Sequence, residues 1–171
     1  MVTGMFEAFL GTLVVVFVLM LLLFRSLRDA ALAMVPVLLA VLVVYGAAGW
    51  IGKDYDMPMA VLSALVLGIG VDFGIHFVQR YGELRDATGS AREALVQFFE
   101  EPARALTRNA LVIAVGFLPL FLSTLVPYLV VGAFLASLML LSWAATLVVL
   151  PPLVLVTDRR RPVPTPGTLR D

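Results

Sequence analysis

The chain has 171 residues, of which 61% are hydrophobic and only 14% are charged, and its formal net charge is zero. Soluble domains are roughly half apolar and one quarter charged, so this composition excludes an ordinary soluble globule and indicates a polytopic membrane protein. The zero net charge argues against a nucleic-acid partner, and the absence of cysteine excludes disulfides, thiolate catalysis and cysteine-based metal sites.

Five apolar runs are long enough to cross a bilayer, which takes about 20 helical residues. Pro36 lies inside the second run, where neighbouring groups of a bundle can satisfy the carbonyl that it frees. A charged segment with apolar residues at helical spacing predicts an amphipathic helix on the cytoplasmic membrane surface, at about residues 90–103. The predicted spans are residues 6–24, 30–51, 59–81, 106–125 and 129–156.

These elements predict an all-α membrane protein. The transmembrane bundle is expected over residues 1–157, followed by a flexible, solvated cytoplasmic tail over residues 158–171. With five spans, all eleven arginines fall on one side of the membrane and only Lys53 falls on the other. Because basic loops stay in the cytoplasm, this distribution predicts a multi-pass protein of the inner membrane with a cytoplasmic C-terminus. Met1 then lies outside, so we expect the chain to be the later part of a longer protein.

The third predicted span contains an acid near its middle. Asp72 lies within an apolar run, and the chain's only histidine, His76, follows about one helical turn later. A carboxylate in hydrocarbon costs roughly 2.5–3.5 kcal/mol on insertion scales, so such a residue usually faces a polar path or a partner. Asp72 and His76 are therefore candidate proton-relay residues. The alternatives are an aspartate that only pins a neighbouring helix and a histidine that sits at the membrane interface.

Three glycines surround this carboxylate. At 3.6 residues per turn, Gly68 shares a face with Asp72 and His76, and Gly70 and Gly74 form a second row of small residues beside it. Small residues let a neighbouring helix approach closely. These glycines are therefore predicted to pack the helix tightly around the relay.

The other polar residues predict no catalytic chemistry. Hydroxyls in the spans, such as Ser142 and Thr146, are expected to bond back to their own helix, and Arg28 is interpreted as a topology determinant. One histidine is too few for a histidine metal site, and the chain has no Gly-x-Ser-x-Gly motif and no paired intramembrane acids. We therefore expect no enzyme activity, no metal and no cofactor.

The acid-containing stretch resembles a known family. Residues 68–76 read Gly-Ile-Gly-Val-Asp-Phe-Gly-Ile-His and are followed by Arg80-Tyr81. They are similar to the GxGxD-[YF]-x-IH…RY segment of the resistance–nodulation–division superfamily, specifically of its MMPL-type exporters. Phe73 stands where many proton-driven members have tyrosine, which implies an altered relay or substitution by water and His76. Three other stretches show weaker similarities, and all the motifs stand in the order found in the family. They are residues 24–28 with Pro36, residues 109–123 and Leu150-Pro151.

The resemblance implies half of a transporter membrane domain. Family members have two similar halves of six helices, with a periplasmic domain after the first helix of each half. This chain is similar to helices two to six, and its tail favours the second half. The resemblance also implies export of lipids or other hydrophobic molecules, driven by the proton gradient, with Asp72 as the proton-relay residue.

The expected partners are the lipid bilayer, a hydrophobic or lipid substrate, and either the remaining half of the transporter or a second protomer. The alternative function is a lipid-binding or scaffold module that does not pump, because the related sterol-sensing domain shares this five-helix unit.

Overall fold

The computed structural model describes residues 2–52 and 57–158. In these two ranges the chain forms six α-helices and one 3₁₀ helix, with no strand, so the all-α prediction is confirmed there. The helices are α1 (Val2–Phe24), α2 (Leu27–Trp50), α3 (Met57–Thr88), α4 (Ala91–Glu100), α5 (Pro102–Gly116) and α6 (Val126–Asp158), and the 3₁₀ helix is Leu118–Leu122.

Four segments of the described chain are long and apolar enough to cross a membrane, which agrees with a multi-pass membrane protein. They are Glu7–Phe24 in α1, Leu27–Trp50 in α2, Pro102–Leu122 across α5 and the 3₁₀ helix, and Val126–Asp158 in α6. The segment in α3 is not among the four, so the fifth span remains a prediction.

Three helices form the centre of the bundle. α2, α3 and α6 pack against one another, and α1 lies against α2 and α3. α5 packs on α6, while α4 is held by α3, α5 and α6. Small residues of α2, such as Ala33 and Ala40, are buried at this centre, whereas about half of the large apolar side chains described in α1 are exposed.

Two helix ends differ from the predicted spans because of local chemistry. α2 begins at Leu27, three residues early, where the Ser26 hydroxyl accepts a hydrogen bond of 3.4 Å from the Asp29 N–H. α3 continues to Thr88, seven residues beyond the predicted span, because charged residues end an apolar run without ending an α-helix. Gly89, with φ of +70°, then ends α3 in the left-handed conformation that glycine adopts without strain.

The predicted span at residues 106–125 is not one helix. α5 starts earlier, at Pro102, where a proline suits the first helical turn, and it ends at Gly116. A 3₁₀ helix with Pro119 near its start follows. Proline has no N–H to donate to an α-helical ladder, so the regular helix does not continue to residue 125.

The predicted amphipathic helix is present as α4, which ends at Glu100. Its buried residues Ala94, Leu95 and Phe98 face protein, and the Phe98 ring lies against Phe77 of α3 with ring centroids 4.6 Å apart. Phe99, the next residue of α4, is 46% exposed. The location of α4 at a membrane surface remains a prediction.

The prediction of a solvated tail is wrong at its first residue. Asp158 is the last residue of α6, and its side chain is only 3% exposed. Residues 159–171 and Lys53 lie outside the described residues, so the rest of the tail and the position of that lysine remain predictions.

α2 and α3 approach each other most closely at two glycines. A Cβ atom added to Gly74 would overlap the backbone carbonyl of Ala33, which cannot move aside like the end of a side chain. A Cβ added to Gly70 would lie 2.8 Å from Cγ2 of Val37. The α3 backbone therefore contacts α2 directly along this row.

A Gly74→Ala substitution is expected to lower the stability of the protein by about 3 kcal/mol, because the added methyl overpacks a contact made by backbone. Gly82→Ala is the matched control on the same helix, since a Cβ at Gly82 has no atom within 4 Å. The measurement is the thermal midpoint of each variant in detergent. Equal midpoints for the two variants would contradict the close approach at Gly74.

Candidate functional site

A buried hydrogen bond sets the depth of the predicted relay residue in the bundle. The Ser142 hydroxyl of α6 donates to the Gly70 carbonyl of α3 over 2.8 Å. Ser142 is the middle residue of α6, which runs from Val126 to Asp158. Asp72 follows Gly70 by two residues, or about 3 Å along the helix axis. It is therefore level with the centre of a helix long and apolar enough to cross a membrane.

This bond also corrects one prediction. Ser142 was expected to bond back to its own helix, but its partner lies on α3. Thr146 does behave as predicted, because its hydroxyl donates to the Ser142 carbonyl over 2.8 Å. A serine's spacing within its own helix does not identify a carbonyl on another helix, so the sequence carries no signal for this contact.

The two glycine rows of α3 lie on different sides of the helix. Gly70 and Gly74 are buried, whereas Gly68, Asp72 and His76 are exposed on the outer face of the bundle. Among residues 2–52 and 57–158, neither Asp72 nor His76 has a hydrogen-bond or ion-pair partner. The predicted site residues are therefore brought together on one face as a carboxyl and an imidazole with no partner in this part of the chain.

Phe73 does not belong to this face. Its side chain is 1% exposed and lies in the core. Neighbouring residues of a helix are about 100° apart around the axis, so the phenyl ring points away from the Asp72 face.

A cavity of about 470 Å³ lies between α3, α4 and α5 and reaches the site at His76. Asp72 is one helical turn further along the same face. The residues that line this cavity are His76, Arg80, Phe98, Glu101, Pro102, Ala105, Leu106 and Asn109. Its polar groups are thus two side chains of α3, one of α5 and the residue between α4 and α5. Their arrangement offers water a place beside the imidazole.

A second polar cluster lies at the end of α3 and contains a buried acid. The Tyr81 hydroxyl and the Arg85 Nε donate hydrogen bonds to Asp158 Oδ2 over 2.8 and 2.7 Å. The guanidinium of Arg28 on α2 lies 3.7 Å from Asp158 Oδ1, and its Nε atom is buried without a partner in the described chain. We call these four residues the Asp158 cluster.

The Asp158 cluster joins the ends of α2, α3 and α6. The hydrogen bond to Asp158 raises the pKa of the Arg85 guanidinium, so this cation stays charged. The interpretation of Arg28 as a topology determinant misses its structural role. The available signals are the spacing of Tyr81 and Arg85 by one helical turn and an acid at the end of the last apolar run.

No group of three or more histidine, aspartate or glutamate side chains in the described ranges is arranged to hold a metal ion. The exposed Asp72 face, the cavity at His76 and the Asp158 cluster are three polar features of the described bundle that are candidates for function.

Comparison with known proteins places the chain in a family. The MMPL family model matches residues 3–170. A protein of Methanocaldococcus jannaschii whose name describes it as a membrane protein, MJ1562, is 29% identical over 147 residues, which are 86% of this chain and 38% of that protein. The hopanoid transporter HpnN of Rhodopseudomonas palustris is 45% identical over 56 residues, which are 33% of this chain and 6% of that protein.

The chain thus covers well under half the length of either relative. No solved structure matches it significantly. Because the family match extends over nearly the whole sequence and includes the stretch around Asp72, the chain belongs to the MMPL family.

Proposed function

We propose that the chain is the membrane-domain portion of a proton-driven exporter of lipids or other hydrophobic molecules, with Asp72 as its proton carrier. Membership of the MMPL family supports a transporter, and the similarity to a hopanoid transporter supports a lipid cargo. The chain is far shorter than these relatives, so the proposal concerns the intact protein that contains it.

The observation that carries the proposal is the position of Asp72. This carboxyl is exposed on α3, level with the centre of α6, and α3 packs against α1, α2 and α6, which all contain candidate spans. An acid at this depth is costly in contact with lipid tails, and intramembrane acids are typical of ion and proton pathways. Asp72 has no hydrogen-bond partner among the described residues, so it does not pin another helix of this bundle.

The face of α3 that contains Asp72 is exposed in this bundle and is available to a partner bundle. Leu65, with 47% of its surface exposed, extends the exposed row of Gly68, Asp72 and His76 by one turn. Gly68 has no atom within 4 Å of an added Cβ, so a second helix can approach the backbone there. We propose that the remaining half of the transporter, or a second protomer, covers this row and supplies polar groups to Asp72.

The proton path that we propose runs from Asp72 towards His76. The arginine distribution supports a cytoplasmic location for the His76 end of α3. The Asp72 carboxylate takes up a proton from the outer side and becomes a neutral carboxylic acid. It later releases this proton to water or to the His76 imidazole beside the cavity. Each proton that crosses 100 mV provides about 2.3 kcal/mol, which is available to move the cargo.

The test uses the intact protein in liposomes that contain a pH-sensitive dye. An imposed pH gradient is expected to collapse faster than in protein-free liposomes, and faster still when a hydrophobic cargo is added. Liposomes that contain an unrelated membrane protein serve as the control for leakage. Lipid binding without any proton flux would overturn the transport proposal and favour the lipid-binding scaffold instead.

A further inference from the structure

A groove with two arginines runs along the junction of α5 and α6, separate from the Asp72 face. Its volume is about 390 Å³. The six lining residues are Phe99, Ala103, Arg104, Thr107, Arg108 and Leu147. They come from α4, α5 and α6 and combine two cations with apolar side chains.

The two cations of the groove are not neutralised by the described chain. Arg104 and Arg108 are exposed, stand one helical turn apart on α5, and form no ion pair with any residue in the described ranges. By contrast, Arg28, Arg80 and Arg85 all lie within 4.0 Å of an acid. Arg104 also lies in the first turn of α5, where the helix dipole is positive and an anion is favoured.

The wall of the groove is fixed by hydrogen bonds. The Thr107 hydroxyl donates to the Ala103 carbonyl over 2.8 Å and accepts a hydrogen bond of 3.2 Å from Trp143 Nε1 on α6. These two bonds hold the α5 wall of the groove against α6.

The groove has cationic side chains beside apolar ones, which matches the charged headgroup and apolar tail of an amphiphile. The candidate span in α5 begins at Pro102, so Arg104 lies in its first turn and Arg108 one helical turn further along. Phe99 and Leu147 supply apolar surface beside the guanidiniums. We infer that the groove binds an anionic phospholipid, with the phosphate on Arg104 and Arg108 and an acyl chain along Phe99 and Leu147. This inference does not depend on proton transport.

The test is native mass spectrometry of the intact protein, offered phosphatidylglycerol or phosphatidylcholine in mild detergent. The protein is expected to retain phosphatidylglycerol preferentially. Removing one arginine, as in Arg104→Gln, should weaken retention roughly 5-fold, and the pair Arg104→Gln/Arg108→Gln about 25-fold, since each basic residue near the membrane surface contributes to lipid attraction. Arg92→Gln removes the same charge from an exposed position on α4 and should change retention by less than about 2-fold.

Equal retention of the two lipids, or equal losses for Arg104→Gln and Arg92→Gln, would overturn the inference. Arg104→Lys/Arg108→Lys keeps both charges and is expected to retain the lipid, which separates loss of charge from loss of folding. If the glutamine pair does not fold, the comparison of Arg104→Gln with Arg92→Gln decides the question.

Discussion

An Asp72→Asn variant of the intact protein is expected to lose proton-coupled transport, with a rate at least about 100-fold below that of the natural protein. The amide has nearly the same volume as the carboxyl and keeps its hydrogen-bonding capacity, but it cannot take up and release a proton. Because Asp72 has no partner among the described residues, its replacement should leave the bundle folded. The measurement is cargo-stimulated proton flux in liposomes.

The matched control is Asp86→Asn, the same substitution on an exposed residue of α3 beyond the predicted membrane span. It should transport at a rate within about 2-fold of the natural protein. Full activity of well-folded Asp72→Asn protein would contradict the relay, whatever the control shows.

An Asp158→Ala variant is expected to lose about 3 kcal/mol of stability. The substitution leaves Arg85 and Arg28 without their anion, and removing one partner of a buried ion pair typically costs 3–5 kcal/mol. The side chains of these arginines are 15% and 23% exposed, so water softens the loss and places it at the lower end of that range. The measurement is the thermal midpoint in detergent.

Glu83→Gln provides the comparison for Asp158→Ala. Glu83 pairs with Arg80 over 2.6 Å, but the two side chains are 62% and 56% exposed. Exposed pairs contribute little, so this variant should unfold within a few degrees of the natural protein. An Asp158→Ala midpoint equal to that of Glu83→Gln would show that the Asp158 cluster does not hold the helix ends together.

The helices of this fold are predictable from apolar runs, but their ends are not. An apolar run measures how much of a helix can lie in lipid, and α3 illustrates the difference because it continues through charged residues to Thr88. The residues at which a helix begins or ends depend on local capping and turn residues, which an apolar run does not reveal. Ser26 caps α2, Gly89 ends α3 and Pro119 interrupts the predicted fourth span.

The candidate site is predictable where it depends on one helix. The spacing of Gly68, Asp72 and His76 places them on one face of any α-helix, and the structure has all three exposed. Contacts between helices are a different matter. Neither the Ser142 bond to Gly70 nor the burial of Asp158 follows from spacing, because each depends on how separate helices are packed.

The contact between Gly74 and Ala33 has a mechanical consequence for any transport cycle. Asp72 and Gly74 are two residues apart, or about 200° around the α3 axis. Only the glycine side of α3 can lie against the α2 backbone, so turning α3 about its own axis would drive side chains into that backbone. The packing therefore keeps the Asp72 carboxyl on the outer side of α3. If Asp72 carries protons as proposed, its access to the two sides of the membrane must change through movement of the part that covers it, while this bundle keeps its packing.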